Sequence, residues 1–214
     1  MATTIYLIRH CETKANEINL LQGGIDFDPS ERGMRQLEFL KDRFKNMPLD
    51  AIYSSHQGRA IKTALAVKGE NHNGITINRG LGELTCGIHE GTVFKEYLKT
   101  DPKMNEIWHK KPHLFEPEGG ERAKDSYERI YNAVLDIVNN NRGKNVAVVS
   151  HGFVIRCLLT RLLHDDITKM GEVIIPCNTA VTQIEFFDDD THKIIKYNDA
   201  EHLPDELKTF FVAK

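Results

Sequence analysis

No CxxC pair and no histidine-rich spacing of the kind that holds zinc occurs in the 214-residue chain. Its four cysteines, Cys11, Cys86, Cys157 and Cys177, stand far apart, which speaks against a disulfide framework and for a reducing compartment. No apolar run approaches the roughly 18 residues of a membrane span, and Met1-Ala2-Thr3-Thr4 lacks the basic n-region of a signal peptide. A cytoplasmic location is therefore expected. Charge of one sign is missing too: 28 Lys and Arg against 31 Asp and Glu leave a formal net charge of -3. Neither nucleic acid nor an anionic membrane is expected as a partner on that balance, so any anion site must be local. The P-loop signature GxxxxGK(S/T) is absent.

What is present is ordinary for a globular protein, 40% hydrophobic and 28% charged. The length suits a single domain over residues 1–214 with a sizeable core. Ile5 to Ile8 read as a buried strand whose polarity flips at Arg9-His10. Gly23-Gly24 and the aspartates after them mark a loop. Ser30 reads as an N-cap, and Met34, Leu37, Leu40 and Phe44 as one helical face that ends before Pro48. Leu49 to Tyr53 gives a second strand, and a helix from Ala60 fades near Gly69 and Asn71. Ile75 and Ile77 suggest a third, short strand, and the glycine-rich stretch Gly80 to Gly91 a loop at the sheet edge.

Between 92 and 118 the pattern breaks into short helices at Pro102, Pro112 and Pro117, a lid or insertion. An amphipathic helix around Tyr127 to Val138 follows. Val146 to Val149 then reads as a doubly covered parallel strand, handing over at Ser150-His151-Gly152 to a helix carrying Leu158, Leu159 and Leu162. Two strands around Asp188-Asp189-Asp190 close the chain. Alternating units predict an α/β fold, a three-layer sandwich with a mainly parallel sheet and helices on both faces.

Three strand-to-helix junctions share one design, ending in Arg9-His10, in Ser55 to Arg59, and in Ser150-His151-Gly152. In a parallel sheet all three open on the edge where ligands bind. Two arginines, two histidines and helix N-termini would then converge on one pocket. The guanidinium fork matches phosphate bidentately, so the expected ligand is a phosphoryl group. The short basic cluster Trp108 to His113 is read as a solvated surface, with recruitment of an acidic substrate as the alternative.

These residues also carry a family resemblance. Leu7-Ile8-Arg9-His10-Cys11-Glu12-Thr13 with Asn16 resembles the R-H-G-E-T-x-x-N signature of the histidine phosphatase (phosphoglycerate mutase-like) superfamily. Ser54-Ser55 through Arg59-Ala60 with Thr63-Ala64 is similar to its S-S-x-x-x-R-A-x-x-T-A block. Leu81 to Gly91 resembles its acid/base segment, with Glu83 at the carboxylate position. Gly119-Gly120-Glu121, Val149-Ser150-His151-Gly152 and Asn178-Thr179 follow in the family's order, and the likeness runs from about residue 3 to 203.

The resemblance implies a phosphoglycerate mutase-like fold and a metal-independent reaction without cofactor on a small-molecule phosphate ester. In it His10 is the nucleophile that becomes a phosphohistidine. Arg9, Asn16, Arg59, His151 and Gly152 hold the phosphoryl group, and Glu83 is the general acid and base. The nucleophile must then be neutral, and its cationic neighbours favour that form. Glu90 is the alternative carboxylate. Where the family has glycine after the nucleophile, this chain has Cys11, and a side chain there narrows the backbone options.

Only about 35 residues separate Glu83 from Gly119, with no arginine among them. The cofactor-dependent mutases that this family resembles carry a longer, arginine-containing insertion there. The phosphatase branch, with α-ribazole phosphatases and broad-specificity phosphatases, is thus the expected one. The alternatives are a cofactor-dependent phosphoglycerate mutase and a non-catalytic phosphate-binding regulatory module in which Cys11 has blunted the nucleophile. A homodimer is left open.

Two other phosphatase chemistries are excluded. Asp26-Phe27-Asp28-Pro29-Ser30 matches DxDx(S/T), but Gln22-Gly23-Gly24 stands where that motif needs a strand. No cysteine has an arginine six positions on, as a cysteine-based phosphatase requires, and Cys157 reads as core packing.

Overall fold

Six strands joined in one sheet set the architecture. The computed structural model describes residues 1–70, 74–189 and 191–209. In chain order the elements are β1 (Thr3–Arg9), α1 (Lys14–Glu17), α2 (Glu31–Phe44), β2 (Ala51–Ser54), α3 (Gly58–Lys68) and β3 (Ile75–Ile77). Then come α4 (Phe94–Thr100), α5 (Pro102–Lys110), α6 (Ala123–Asn140), β4 (Asn145–Ser150), α7 (Gly152–His164), β5 (Val181–Phe186) and β6 (His192–Asp199). The strands form one sheet in the order β3-β2-β4-β1-β5-β6. Pairing is parallel from β3 through β1, and β5 runs antiparallel to both β1 and β6.

Successive side chains of a strand point to opposite faces, and the core divides accordingly. Ile5, Leu7, Val146 and Val148 pack with Ile130, Val134 and Ile137 of α6 and Val154, Leu158 and Leu159 of α7. Ile8, Ala147 and Val149 pack on the other face with Leu40 and Phe44 of α2 and Ala60, Ala64 and Val67 of α3. The expected α/β sandwich, with a mainly parallel sheet covered on both faces, is therefore present, and every one of the predicted strands exists. Among the described residues no helix is long and apolar enough to cross a membrane. The predicted boundary residues Asn71 and Asp190 lie outside the described residues.

One helical face differs from expectation. Ser30 does cap α2, accepting from the Gly33 amide at 2.9 Å, but Met34 is 54% exposed. The buried stripe is Gly33, Gln36, Leu40 and Phe44. Gly33 rests directly on the Glu12 carbonyl, where a Cβ would come within 2.0 Å of the oxygen. That contact fixes the rotation of α2 and turns Met34 outward.

Segment 92–118 is seated on the body by aromatic packing. The Trp108 ring lies 4.7 Å from Phe94, 5.2 Å from Phe115 and 6.0 Å from Phe153, the second residue of α7. Phe94 and Phe115 are buried. Such edge-to-face and offset pairs add to the gain from area burial. The registers Arg9 opposite Ser150 and Ser54 opposite Val149 bring the carboxyl ends of β1, β2 and β4 to one edge.

Candidate active site

His10 leaves β1 with its amide donating to Ser150 O at 3.0 Å, so its backbone is the last rung of the β1–β4 ladder. Its Nδ1 lies 2.7 Å from the Cys11 carbonyl. A carbonyl only accepts, so Nδ1 carries the proton and Nε2 keeps its lone pair. The ring is 2% exposed. Burial, then the Arg59 and Arg9 charges, hold its pKa well below the usual imidazole value. Asn178 Nδ2 donates to the His10 carbonyl at 2.8 Å, and the Thr179 amide donates to Arg9 O at 3.0 Å. Thr179 itself sits at φ 58. The predicted Asn178-Thr179 pair thus clamps the backbone of Arg9 and His10.

His151 follows β4, with its ring centroid 5.2 Å from that of His10. Arg59 Nε donates to His151 Nδ1 at 3.2 Å. Since an arginine nitrogen only donates, His151 carries its proton on Nε2, which reaches Ser55 Oγ at 2.7 Å. Ser55 Oγ continues to Gln57 Oε1 at 3.3 Å. Gln57 Oε1 also receives the Glu83 amide at 2.8 Å. One chain of hydrogen bonds therefore runs from Arg59 through His151, Ser55 and Gln57 to Glu83. Burial, Arg59 and then His10 push the His151 pKa well down, so both imidazoles are neutral at pH 7.

The two arginines differ in what they have left to offer. Arg59 is the larger structural investment: Nη1 donates to Ile25 O at 2.8 Å and Asp26 Oδ1 at 3.0 Å, and Nη2 to Gly23 O at 2.9 Å. Asp26 Oδ2 also accepts the Gly58 amide at 2.7 Å, capping the start of α3. Arg9 donates from Nη1 to Pro176 O at 2.6 Å, and its buried Nε has no partner among the described residues. Burial lowers its pKa to about 10, against the pull of Glu83, so it stays charged at neutral pH. Gly152 lets this guanidinium approach the start of α7; a Cβ there would lie 3.2 Å from Arg9 Nε and 2.9 Å from Ile175. Asn16 spends its Oδ1 on the Thr13 amide at 3.0 Å, half of a capping box. Its Nδ2 is thereby the end left for a ligand.

Glu83 lies half-buried at the N-terminus of α7. Its carboxylate accepts from Phe153 N at 3.2 Å, Val154 N at 3.3 Å and Leu84 N at 3.0 Å. Glu90, the alternative carboxylate, is a staple: its Oε1 accepts from Gly24 N at 2.7 Å and Cys86 N at 2.8 Å, tying the 23–24 loop to the Glu83 loop. Cys11 is wholly buried, its amide donating to Thr63 Oγ1 at 3.0 Å and its thiol pushed up to about 11 by burial. Its φ lies outside the left-handed region, so glycine is not required there. Glu12 anchors the same loop: Oε2 accepts from Ser30 Oγ at 2.6 Å, and its amide donates to Gln36 Oε1 at 2.8 Å.

The structure therefore gathers Arg9, His10, Arg59, His151, Gly152 and Glu83 at one sheet edge, with Asn16 on the first turn after β1. Sequence reasoning missed Ser55, Gln57 and Asp26 as parts of this site. Ser55 and Gln57 stood inside a quoted motif, but nothing in a linear pattern says that they tie His151 to the Glu83 amide. Among the described residues, no group of three or more His, Cys, Asp or Glu is arranged to hold a metal ion.

A family model described as Histidine phosphatase superfamily (branch 1) matches residues 5–200. The chain is 28% identical over 199 residues to phosphoserine phosphatase 1 of Hydrogenobacter thermophilus, covering 93% of each. Among solved structures, Bacillus stearothermophilus YhfR superposes with a TM-score of 0.87 at 33% identity, covering 94% of this chain and 98% of its own. A mutant phosphoserine phosphatase from Entamoeba histolytica, in complex with phosphoserine, superposes with a TM-score of 0.83 at 26% identity, covering 94% and 100%.

Proposed function

The chain belongs to the histidine phosphatase superfamily (branch 1), and from that membership we propose a metal-independent phosphatase that hydrolyses a small-molecule phosphate monoester through a phosphohistidine on His10. One observation carries the reading: the Cys11 carbonyl holds the proton on His10 Nδ1, so the buried Nε2 presents a lone pair beside two guanidinium groups.

The first step forms the Nε2–P bond as the ester P–O bond breaks. The bonding pair leaves with the ester oxygen, and a protonated Glu83 supplies the proton that makes it an alcohol. In the second step the Glu83 carboxylate takes a proton from water, the oxygen attacks phosphorus, and neutral His10 departs with inorganic phosphate as product. Negative charge on the phosphoryl oxygens is met by Arg9, whose buried Nε has no partner among the described residues, by Asn16 Nδ2 and by the Gly152 amide at the start of α7. Arg59 adds positive potential from the other side, and neutral His151 accepts from its Nε and so holds that guanidinium in place. Arginines here do the charge work that a magnesium ion does in other phosphoryl transfers.

Residues 1–214 form one domain in this reading, with 92–118 an insertion behind the start of α7 that shapes the pocket. The substrate class is a small phosphate ester, and the likeness to a phosphoserine phosphatase along nearly the whole chain puts phosphoserine first among those to try. A panel of phosphate monoesters, assayed with and without EDTA, tests the proposal. Hydrolysis that survives EDTA and disappears in His10→Ala supports it. No turnover of any monoester by the intact protein, or full turnover by His10→Ala, counts against it.

A further inference from the structure

The Gly119-Gly120-Glu121 turn has no part in the reaction as described, yet it is built against the loop that carries Glu83. Gly87 approaches it so closely that a Cβ would lie 1.9 Å from Glu118 O and 2.6 Å from Gly120 N. The Glu121 amide donates to Thr85 O at 2.9 Å, which holds the Glu83 loop two residues downstream. The Glu121 carboxylate forms a two-point fork with Arg129 of α6, Oε1 to Nε at 2.7 Å and Oε2 to Nη2 at 2.6 Å. Arg129 then turns its Nη1 to two carbonyls upstream, Gly80 O at 2.8 Å and Gly82 O at 2.9 Å. Its remaining Nη2 proton reaches Ser126 Oγ at 3.4 Å. Every N–H of the guanidinium is engaged, and lysine has no planar fork with which to copy this.

Glu83 is thus bracketed on both sides by one ion pair. Residues 80 and 82 are held by Arg129 and residue 85 by Glu121, while the Gln57 side chain holds the Glu83 amide itself. We propose that Arg129 and Glu121 are positioning residues for the general acid: through the backbone they set where the Glu83 carboxyl stands relative to the ester oxygen. The inference rests on the proposed role of Glu83. A small displacement of a proton donor matters because the donor must be within hydrogen-bond reach of the atom it protonates.

The test compares leaving groups. p-Nitrophenolate leaves without a proton, whereas an alkoxide needs one, so kcat/KM for an alkyl phosphate depends on the acid and kcat/KM for p-nitrophenyl phosphate does not. General acid catalysis contributes on the order of 100-fold or more. Arg129→Met is expected to lower kcat/KM for glycerol phosphate by about that factor while changing the p-nitrophenyl phosphate value less than about three-fold. Arg129→Lys, which restores charge without the fork, should fall between the wild type and Arg129→Met. Glu121→Gln gives a milder disruption and stands in if Arg129→Met does not fold. Glu83→Gln is measured beside them. Equal losses on both substrates, or no loss, in folded Arg129 and Glu121 variants overturn the inference while a selective loss in Glu83→Gln leaves the acid assignment standing. A Glu83→Gln variant without selective loss overturns the acid assignment, and the positioning role with it.

Discussion

Replacing Cys11 by glycine restores the residue that the family resemblance leads one to expect after the nucleophile, and the structure predicts that the exchange costs stability without improving catalysis. The side chain is fully buried. Removing its two heavy atoms forfeits about 1.5 kcal/mol of buried apolar contact and transfer energy. The added backbone freedom of glycine in the unfolded chain costs about 0.5–1 kcal/mol more. The sum, roughly 2 kcal/mol, corresponds to a fall in Tm of about 4–8 °C for a chain of this size. Catalysis depends on the residue only through its backbone: the carbonyl accepts from His10 Nδ1 at 2.7 Å and the amide donates to Thr63 Oγ1 at 3.0 Å. Glycine keeps both. Thermal melts and kcat/KM on p-nitrophenyl phosphate read the two effects separately. A ten-fold or larger rise in kcat/KM would refute this reasoning, because it would mean that the thiol blunts the nucleophile.

Three further outcomes follow from the same geometry. Gly33→Ala gains up to about 1 kcal/mol of helix propensity, but its Cβ would sit 2.0 Å from the Glu12 carbonyl, a backbone atom that cannot turn away. The overpacking cost, about 3 kcal/mol or more once the Glu12 hydrogen bonds loosen, should dominate in urea unfolding. Stability should also fall in mild acid: the folded pKa values of His10 and His151 lie well below the usual one, so the unfolded state binds the extra protons. Their contribution is complete above pH ~6.5 and is lost as pH drops below it, by up to about 1.4 kcal/mol per unit for each ring; unfolding midpoints flat between pH 7 and 5 would contradict this. Ser55→Ala removes the acceptor of His151 Nε2–H and should lower kcat more than it lowers Tm, read by kinetics and melts on one preparation.

The legible part of this protein is the part that local pattern controls. A strand whose polarity flips at Arg9-His10, and another that flips at Ser150-His151, announce a sheet edge where charge is presented, and the structure brings those ends together. Ser30 was readable as a cap because its hydroxyl bonds three residues on. Met34 was misread for the opposite reason. Which side of α2 faces inward is decided by Gly33 against Glu12, 21 positions back along the chain, and hydrophobicity alone favoured the wrong residue. Glu90 looked like a second carboxylate for the reaction, yet its bonds to Gly24 and Cys86 show it closing two loops against each other. The tautomers of His10 and His151 were beyond any reading of the sequence, since each is set by an acceptor or donor fixed only in the folded chain.

The central claim is that His10 Nε2 takes the phosphoryl group. Its most direct test is to quench the enzyme in alkali during turnover of a phosphate monoester, conditions in which a phosphohistidine survives, and to map the adduct by peptide mass spectrometry. A single phosphoryl group on the peptide carrying His10, lost on acidification and absent from His10→Ala, is the predicted result. A phosphoryl group elsewhere, or full turnover with no adduct at all, would contradict it.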